Sequence, residues 1–230
     1  MQHQLPLEFE FNNELTFQSF FAGPNAEAVA SLQNIGANAG ESYIYLWGTT
    51  GSGKSHLLQA VCQRVAMSGK PVALLPMQFH EQYSPAMLEG LENLALVAID
   101  DIEAVARQSV WEEALFHLFN RMHARKTPLL ISARTSPPQL PVELADLKSR
   151  LAWGLVLQLR VLTDEQKILA LRKRAQIRGM ELNDEVGQFM LSRYSRDMPG
   201  LMNLLDVLDK ASLREQRRLT IPFVRQYLMK

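Results

Sequence analysis

The chain has 230 residues, 47% hydrophobic and 21% charged, the balance of one globular domain or a domain and a half whose core needs no disulfide or metal staple. Its 24 lysines and arginines equal its 24 aspartates and glutamates, which excludes an overall basic footprint for nucleic acid; a basic excess after residue 162 offsets an acidic excess before it, and reads either as a local binding face or as solvated helix surface. Cys62 is the single cysteine, so an intrachain disulfide framework is excluded, and with no N-terminal leader pattern or bilayer-length apolar run a soluble, intracellular protein is expected.

The first dozen residues contain Gln4-Leu5-Pro6-Leu7-Glu8-Phe9 followed by an acidic stretch, and read as an extended arm. A short helix is predicted over 28–38. Tyr43 to Trp47 is aromatic and apolar without alternation, the pattern of a strand buried on both faces. A glycine-rich loop leads into a helix over 55–67, closed by Gly69. Further strands are predicted at 72–76, 96–99, 129–131 and 155–159. The spacing of Trp111, Leu115, Leu118, Phe119 and Met122 predicts a helix over 111–125. Strands alternating with helices make βαβ units, hence an α/β domain with a parallel sheet covered on both faces.

The character changes at Thr163. Thr163-Asp164-Glu165-Gln166 fits a capping box, and helices are predicted over 164–178, 184–195, 199–217 and from 220 to the end. The expected organisation is an arm (1–12), an α/β domain (13–162) and a small all-α domain (163–230).

Chemistry concentrates in Gly48-Thr49-Thr50-Gly51-Ser52-Gly53-Lys54-Ser55, a complete G-x-x-x-x-G-K-[ST] motif between a predicted strand and helix. The glycines let backbone amides approach phosphate oxygens, and the helix aims its positive end at them. Lys54 supplies charge for the β- and γ-phosphates, and Ser55 a hydroxyl for Mg²⁺. Leu96 to Asp101 is the natural companion, an apolar strand delivering carboxylates: Asp100 to hold Mg²⁺ through water, Asp101 to orient an attacking water. The plain alternative is a strand ending in an Asp-rich turn. Ser132 and Arg134 follow the fourth strand as candidate γ-phosphate sensors, and as ordinary turn residues equally well. Arg150 lies in a short charged segment, and spacing alone gives it no catalytic role.

Taken together, these residues resemble the AAA+ class of P-loop ATPases, and within it the family of the bacterial initiator DnaA. The resemblance runs from Thr16-Phe17-Gln18-Ser19-Phe20 through the P-loop and Ile99-Asp100-Asp101-Ile102 to Leu147-Lys148-Ser149-Arg150-Leu151-Ala152-Trp153-Gly154 and the helical lid. It covers about nine-tenths of the chain. DnaA proteins continue into a helix-turn-helix domain for which this sequence has no residues left, so the closer resemblance is to the Hda family of DnaA-related regulatory inactivators.

That resemblance implies a fold, an AAA+ α/β sheet with an all-α lid, and ADP or ATP with Mg²⁺ as cofactors. It implies nucleotide contacts from Phe17, Phe20, Phe21, Thr50, Gly51, Ser52, Gly53, Lys54, Ser55 and His56, metal contacts from Ser55 and Asp100, and an arginine finger at Arg150 acting in trans. It implies that Gln4, Leu5, Leu7 and Phe9 form a peptide for the DNA polymerase III sliding clamp; on composition alone the arm is a disordered terminus.

The implied partners are a DnaA initiator, the clamp, DNA indirectly through the clamp, and a second copy in any homo-oligomer, in a bacterial cytoplasm. Pro199 at the position of a lid sensor arginine and Ala133 in place of an acidic residue depart from the family pattern, and together with Asp101, one methylene shorter than a Glu, they point to weak intrinsic hydrolysis and to nucleotide as a conformational latch. A helicase loader is the rival reading. A small-molecule kinase would need a second substrate pocket that the sequence does not display.

Overall fold

The computed structural model describes residues 12–37 and 40–228. The arm residues Gln4, Leu5, Leu7 and Phe9 lie outside the described residues. The chain divides into two compact units. The first, which includes residues 12–17 and 25–160, holds α1 (Ala26–Gln33), β1 (Tyr43–Trp47), α2 (Lys54–Ala66), β2 (Val72–Pro76), β3 (Leu96–Asp100), α3 (Ser109–Arg125), β4 (Leu129–Ala133), α4 (Ala145–Leu151) and β5 (Leu155–Gln158). Three 3₁₀ turns over 77–93, and one at Ile102–Val105, fill stretches where periodicity predicts nothing.

All five strands are parallel, in the order β2-β3-β4-β1-β5. The central strands β3 and β4 are buried at every position, as continuous apolar runs require when helices cover both faces. The edges differ: β2 alternates between buried and half-buried and ends in Pro76, and β5 is half exposed. Because successive side chains point to opposite faces, Tyr43, Tyr45, Val97, Ile99, Leu129 and Ile131 share one core with Trp111, Leu115, Leu118, Phe119 and Met122 of α3 and Leu147 and Leu151 of α4. Their neighbours Ile44, Leu46, Ala98 and Leu130 are fully buried on the other face, and α2 packs against β2, β3 and β4.

Glu112 ties this layer together. Although it is charged and sits in α3, it is only 2% exposed. Its carboxylate accepts backbone N–H groups from Arg107 (2.7 Å), Glu143 (3.1 Å) and Leu144 (2.7 Å). Arg107 has φ +67°, and Leu144 stands just before α4 and offers it no side-chain cap. One carboxylate therefore fixes both the loop that follows β3 and the entry to α4.

The second unit comprises residues 18–24 and 161–228 and contains α5 (Asp164–Ile177), α6 (Asp184–Arg193), α7 (Met198–Glu215) and α8 (Ile221–Leu228). The capping box is present, with Thr163 Oγ1 accepting from the Gln166 amide and Gln166 Oε1 accepting from the Thr163 amide. Asn183 and Asp197 cap α6 and α7 by accepting the amides of Val186 and Gly200 on their side-chain oxygens. Leu171, Leu182, Met190, Leu201, Leu205, Leu208, Phe223 and Val224 form the core of this unit. Lys173 Nζ donates to the Phe20 carbonyl at 2.6 Å, which attaches the 18–24 segment to α5.

Glu112→Ala strips three backbone amides of the acceptor they share and is expected to cost about 3–5 kcal/mol in urea unfolding. Cys62, fully buried on α2, has its thiol pushed up to about 12 by burial and, less, by Asp100. A raised folded pKa contributes stability that is complete below the unfolded value near 9 and lost as pH rises toward 12. Thiol-reagent titration at pH 8 should therefore find Cys62 inert in the native protein and reactive in denaturant.

Candidate nucleotide site

Strand order makes the site. β4 lies between β1 and β3, so the chain leaving Trp47, the carboxylate of Asp100 and the hydroxyl of Ser132 emerge side by side at the carboxyl edge of the sheet. The loop from Gly48 to Gly53 turns directly into α2, and Gly53 precedes the helix with φ +100°, a conformation that a side chain would resist.

Within the loop Ser52 and Lys54 are buried, while Thr50 and Ser55 face solvent and Gly51 and Gly53 are half buried. Lys54 Nζ donates to the Gly48 carbonyl at 2.9 Å and more distantly to Thr49, so loop carbonyls satisfy an ammonium that is positioned for phosphate oxygens. Ser52 Oγ is buried with no hydrogen-bond partner. A buried hydroxyl lacking a partner and a buried ammonium resting on carbonyls are the donors a polyphosphate would satisfy, so the residues present fit that group.

Asp100 is 8% exposed. Burial raises its carboxyl above the usual range; hydrogen bonds from Ser132 and Ser55 and the charge of Lys54 act in the opposite sense, and Asp101 adds to the rise. The Ser132 hydroxyl donates to Asp100 Oδ1 and accepts the amide of Asp101 at 3.0 Å. Asp101 itself adopts a left-handed conformation, φ +53° and ψ +56°, which Asp tolerates better than most residues. Among the described residues no group of three or more His, Cys, Asp or Glu is arranged to hold a metal. A Mg²⁺ ion at Ser55 and Asp100 would draw its remaining ligands from phosphates and water.

Glu103 is a site residue that sequence reasoning overlooks. Burial raises its carboxyl, with Asp101 adding and Lys54 and Arg134 opposing, and Arg134 Nε lies 3.2 Å from Glu103 Oε1. Its sequence signal was faint: a Glu two residues beyond an Asp pair, in a turn. The structure therefore gives Arg134 a carboxylate partner and Ser132 a bridging task.

The remaining predicted residues are distributed as follows. His56 Nε2 donates to the Thr16 carbonyl at 2.9 Å, holding the 12–17 segment on α2. Phe17 packs in the same unit under the Arg64 guanidinium, 5.5 Å from its ring centroid. Phe20 is buried and Phe21 half-buried, and both belong to the helical unit. Arg150 lies on α4, with its guanidinium carbon 3.9 Å from the Trp153 ring centroid, apart from the Lys54–Asp100–Ser132 group. Pro199 occupies the first turn of α7, where its missing N–H costs nothing.

Comparison with known families now adds to this geometry. Residues 11–158 match the model of the bacterial DnaA ATPase domain. The chain belongs to the bacterial DnaA ATPase-domain family. Residues 164–228 match the Hda lid domain, so this is a DnaA-like AAA+ replication protein with an Hda-type lid. Among solved structures, domain III of the Thermotoga maritima replication initiation protein DnaA is similar with a TM-score of 0.79 and 24% identity, over 94% of this chain and 95% of that one. AMPPCP-bound DnaA from Aquifex aeolicus is similar with a TM-score of 0.67 and 20% identity, over 90% and 70%. The Thermotoga maritima RuvB Holliday junction branch migration motor matches at 0.67 and 15%, over 94% and 72%. At these identities the likeness is one of fold, a five-stranded parallel AAA+ sheet. Among the described residues no helix is long and apolar enough to cross a membrane.

Asp100→Asn should raise the stability of the ligand-free protein, because the neutral amide escapes the desolvation that the carboxylate suffers. The sign follows from the raised folded pKa: protonation stabilises, and that gain is lost as pH rises from the unfolded value through the folded one. Thermal melts across the acidic range should show this increment in the native protein and not in the variant.

Proposed function

We propose that this chain is a nucleotide-binding negative regulator of replication initiation, recruited by the DNA polymerase III sliding clamp, which stimulates hydrolysis of ATP held by a DnaA-type initiator. The observation that carries the reading is the pairing of a DnaA ATPase-domain match with an Hda-lid match in one chain.

In this reading Thr50 to Ser55 bind the phosphates of ADP or ATP, Lys54 neutralises their charge, and Ser55 and Asp100 hold Mg²⁺. Bound Mg²⁺ would withdraw charge from the phosphate oxygens. Ser132 keeps the Asp100 carboxylate oriented. Occupancy sets the conformation in which the protein docks on the initiator. Arg150 then extends to the initiator's γ-phosphate, where a guanidinium neutralises charge that develops as the phosphoryl group transfers. Slow hydrolysis at the chain's own site follows from Pro199 in the first turn of α7, a residue with no group for a phosphate, and from Ala133 beside Ser132. DNA is met through the clamp, which captures residues 4–9 by burying Leu5, Leu7 and Phe9 in a groove.

Three measurements test this proposal. Lys54→Ala should weaken binding of fluorescent ADP by at least about tenfold. Deletion of residues 1–10 should abolish clamp capture on a sensor surface while leaving nucleotide affinity intact. In single-round hydrolysis of labelled ATP on a DnaA-type initiator with clamp-loaded DNA, the native chain should accelerate turnover, and Arg150→Ala should remove most of an effect that such a charge can raise to about 10³-fold or more. Acceleration absent under every nucleotide would defeat the reading and bring the helicase-loader alternative forward.

A further inference from the structure

Arg150 is the residue on which the proposed activity turns, and the structure shows an unusual mount for it. Its guanidinium carbon lies 3.9 Å from the centroid of the Trp153 ring, well inside the range in which an aromatic face attracts a cation. Among the described residues Arg150 makes no salt bridge. Stacking uses the flat face of the guanidinium and leaves its ring of N–H donors at the edge, where a phosphate or carboxylate binds side-on. A carboxylate partner would have consumed those donors.

The indole is itself fixed. The Trp153 amide donates to the Arg150 carbonyl at 3.1 Å, closing the last turn of α4 and setting both side chains next to one another. The Tyr43 hydroxyl donates to the Leu151 carbonyl at 3.0 Å. Gly154 passes so close to β1 that a Cβ there would lie 2.5 Å from the Tyr43 carbonyl oxygen and 2.3 Å from its ring, so the chain on either side of Trp153 is pinned to the sheet. His123 (5.2 Å) and Phe119 (6.3 Å) of α3 meet the indole edge to face. Trp153 is nevertheless 54% exposed. An indole held by neighbours and yet open to solvent serves the arginine better than it serves the core.

We propose that Trp153 is a positioning residue for Arg150: it holds the guanidinium by its face, with few rotamers to lose, so that the donor edge is presented to an incoming oxyanion. This rests on the reading of Arg150 as the group that enters the initiator's site. The indole makes no contact with the phosphate; it acts through the arginine.

The test pairs a structural readout with a kinetic one, both on the full chain. With ¹³C,¹⁵N-labelled arginine, the δ-methylene protons of Arg150, assigned by their loss in Arg150→Ala, should be shifted upfield by the indole ring current and should return to ordinary values in Trp153→Ala. In the single-round assay on ATP-bound initiator, Trp153→Ala should lower the maximal rate about tenfold with the half-saturating protein concentration unchanged, Trp153→Phe should recover most of it, and Trp153→Ala should cost nothing further in an Arg150→Ala background. Unshifted δ-protons in the native chain overturn the proposal, as does a Trp153→Ala variant that keeps the native maximal rate or loses only affinity. Native chain that fails to accelerate hydrolysis at all overturns the function itself, which the ring-current arm keeps distinct from failure of the stack.

Discussion

A carboxylate at the end of a fully buried strand is costly unless its neighbours supply donors, and Asp100 sets the terms for the sheet edge around it. Ser132 and Ser55 give it hydroxyl donors and Lys54 gives it charge, yet burial still raises its carboxyl. Ser132 comes from β4 and Ser55 and Lys54 from the first turn of α2, and they meet Asp100 only because β4 is inserted between β1 and β3. Polar satisfaction at this point and the strand order are one constraint seen from two sides. The same insertion brings the amide of Asp101 onto Ser132, which supports its left-handed backbone.

A second buried carboxylate does for the loops what Asp100 does for the sheet edge. Glu112 accepts amides from the loop after β3 and from the entry to α4. The segment carrying Asp101 and Glu103 and the helix carrying Arg150 are thereby fastened to the same side chain of α3. A shift of the loop after β3 and a shift of α4 therefore share a mechanical anchor within the α/β unit.

The residues that sequence made legible are those whose chemistry is local. The Gly48–Ser55 loop, the Asp100–Asp101 pair after an apolar run, and the Thr163–Gln166 box each depend on neighbours a few positions apart, and each stands in the element predicted for it. The seven-residue helix α4 was hidden because its charged sequence shows only two buried positions, Leu147 and Leu151. Glu103 and Glu112 were hidden for a different reason: a glutamate near a helix reads as solvated surface, and only the fold decides that these two are covered. Trp153 lies three residues after Arg150, but no local pattern says which of its neighbours rests on the indole.

By itself the sequence determined the α/β and all-α halves, the parallel strands and the phosphate loop, because buried strands, helix caps and glycine turns are written in short-range patterns that survive without tertiary context. Only the tertiary structure decided that β4 separates β1 from β3, that Ser132 bridges two aspartates, that Arg134 pairs with Glu103, and that Arg150 lies on Trp153. Those are contacts between residues brought close by the order of strands or by packing, and no periodicity encodes which strand lies beside which. They depend on the one arrangement in which Asp100 meets its hydroxyl donors and Glu103 meets the charge of Arg134.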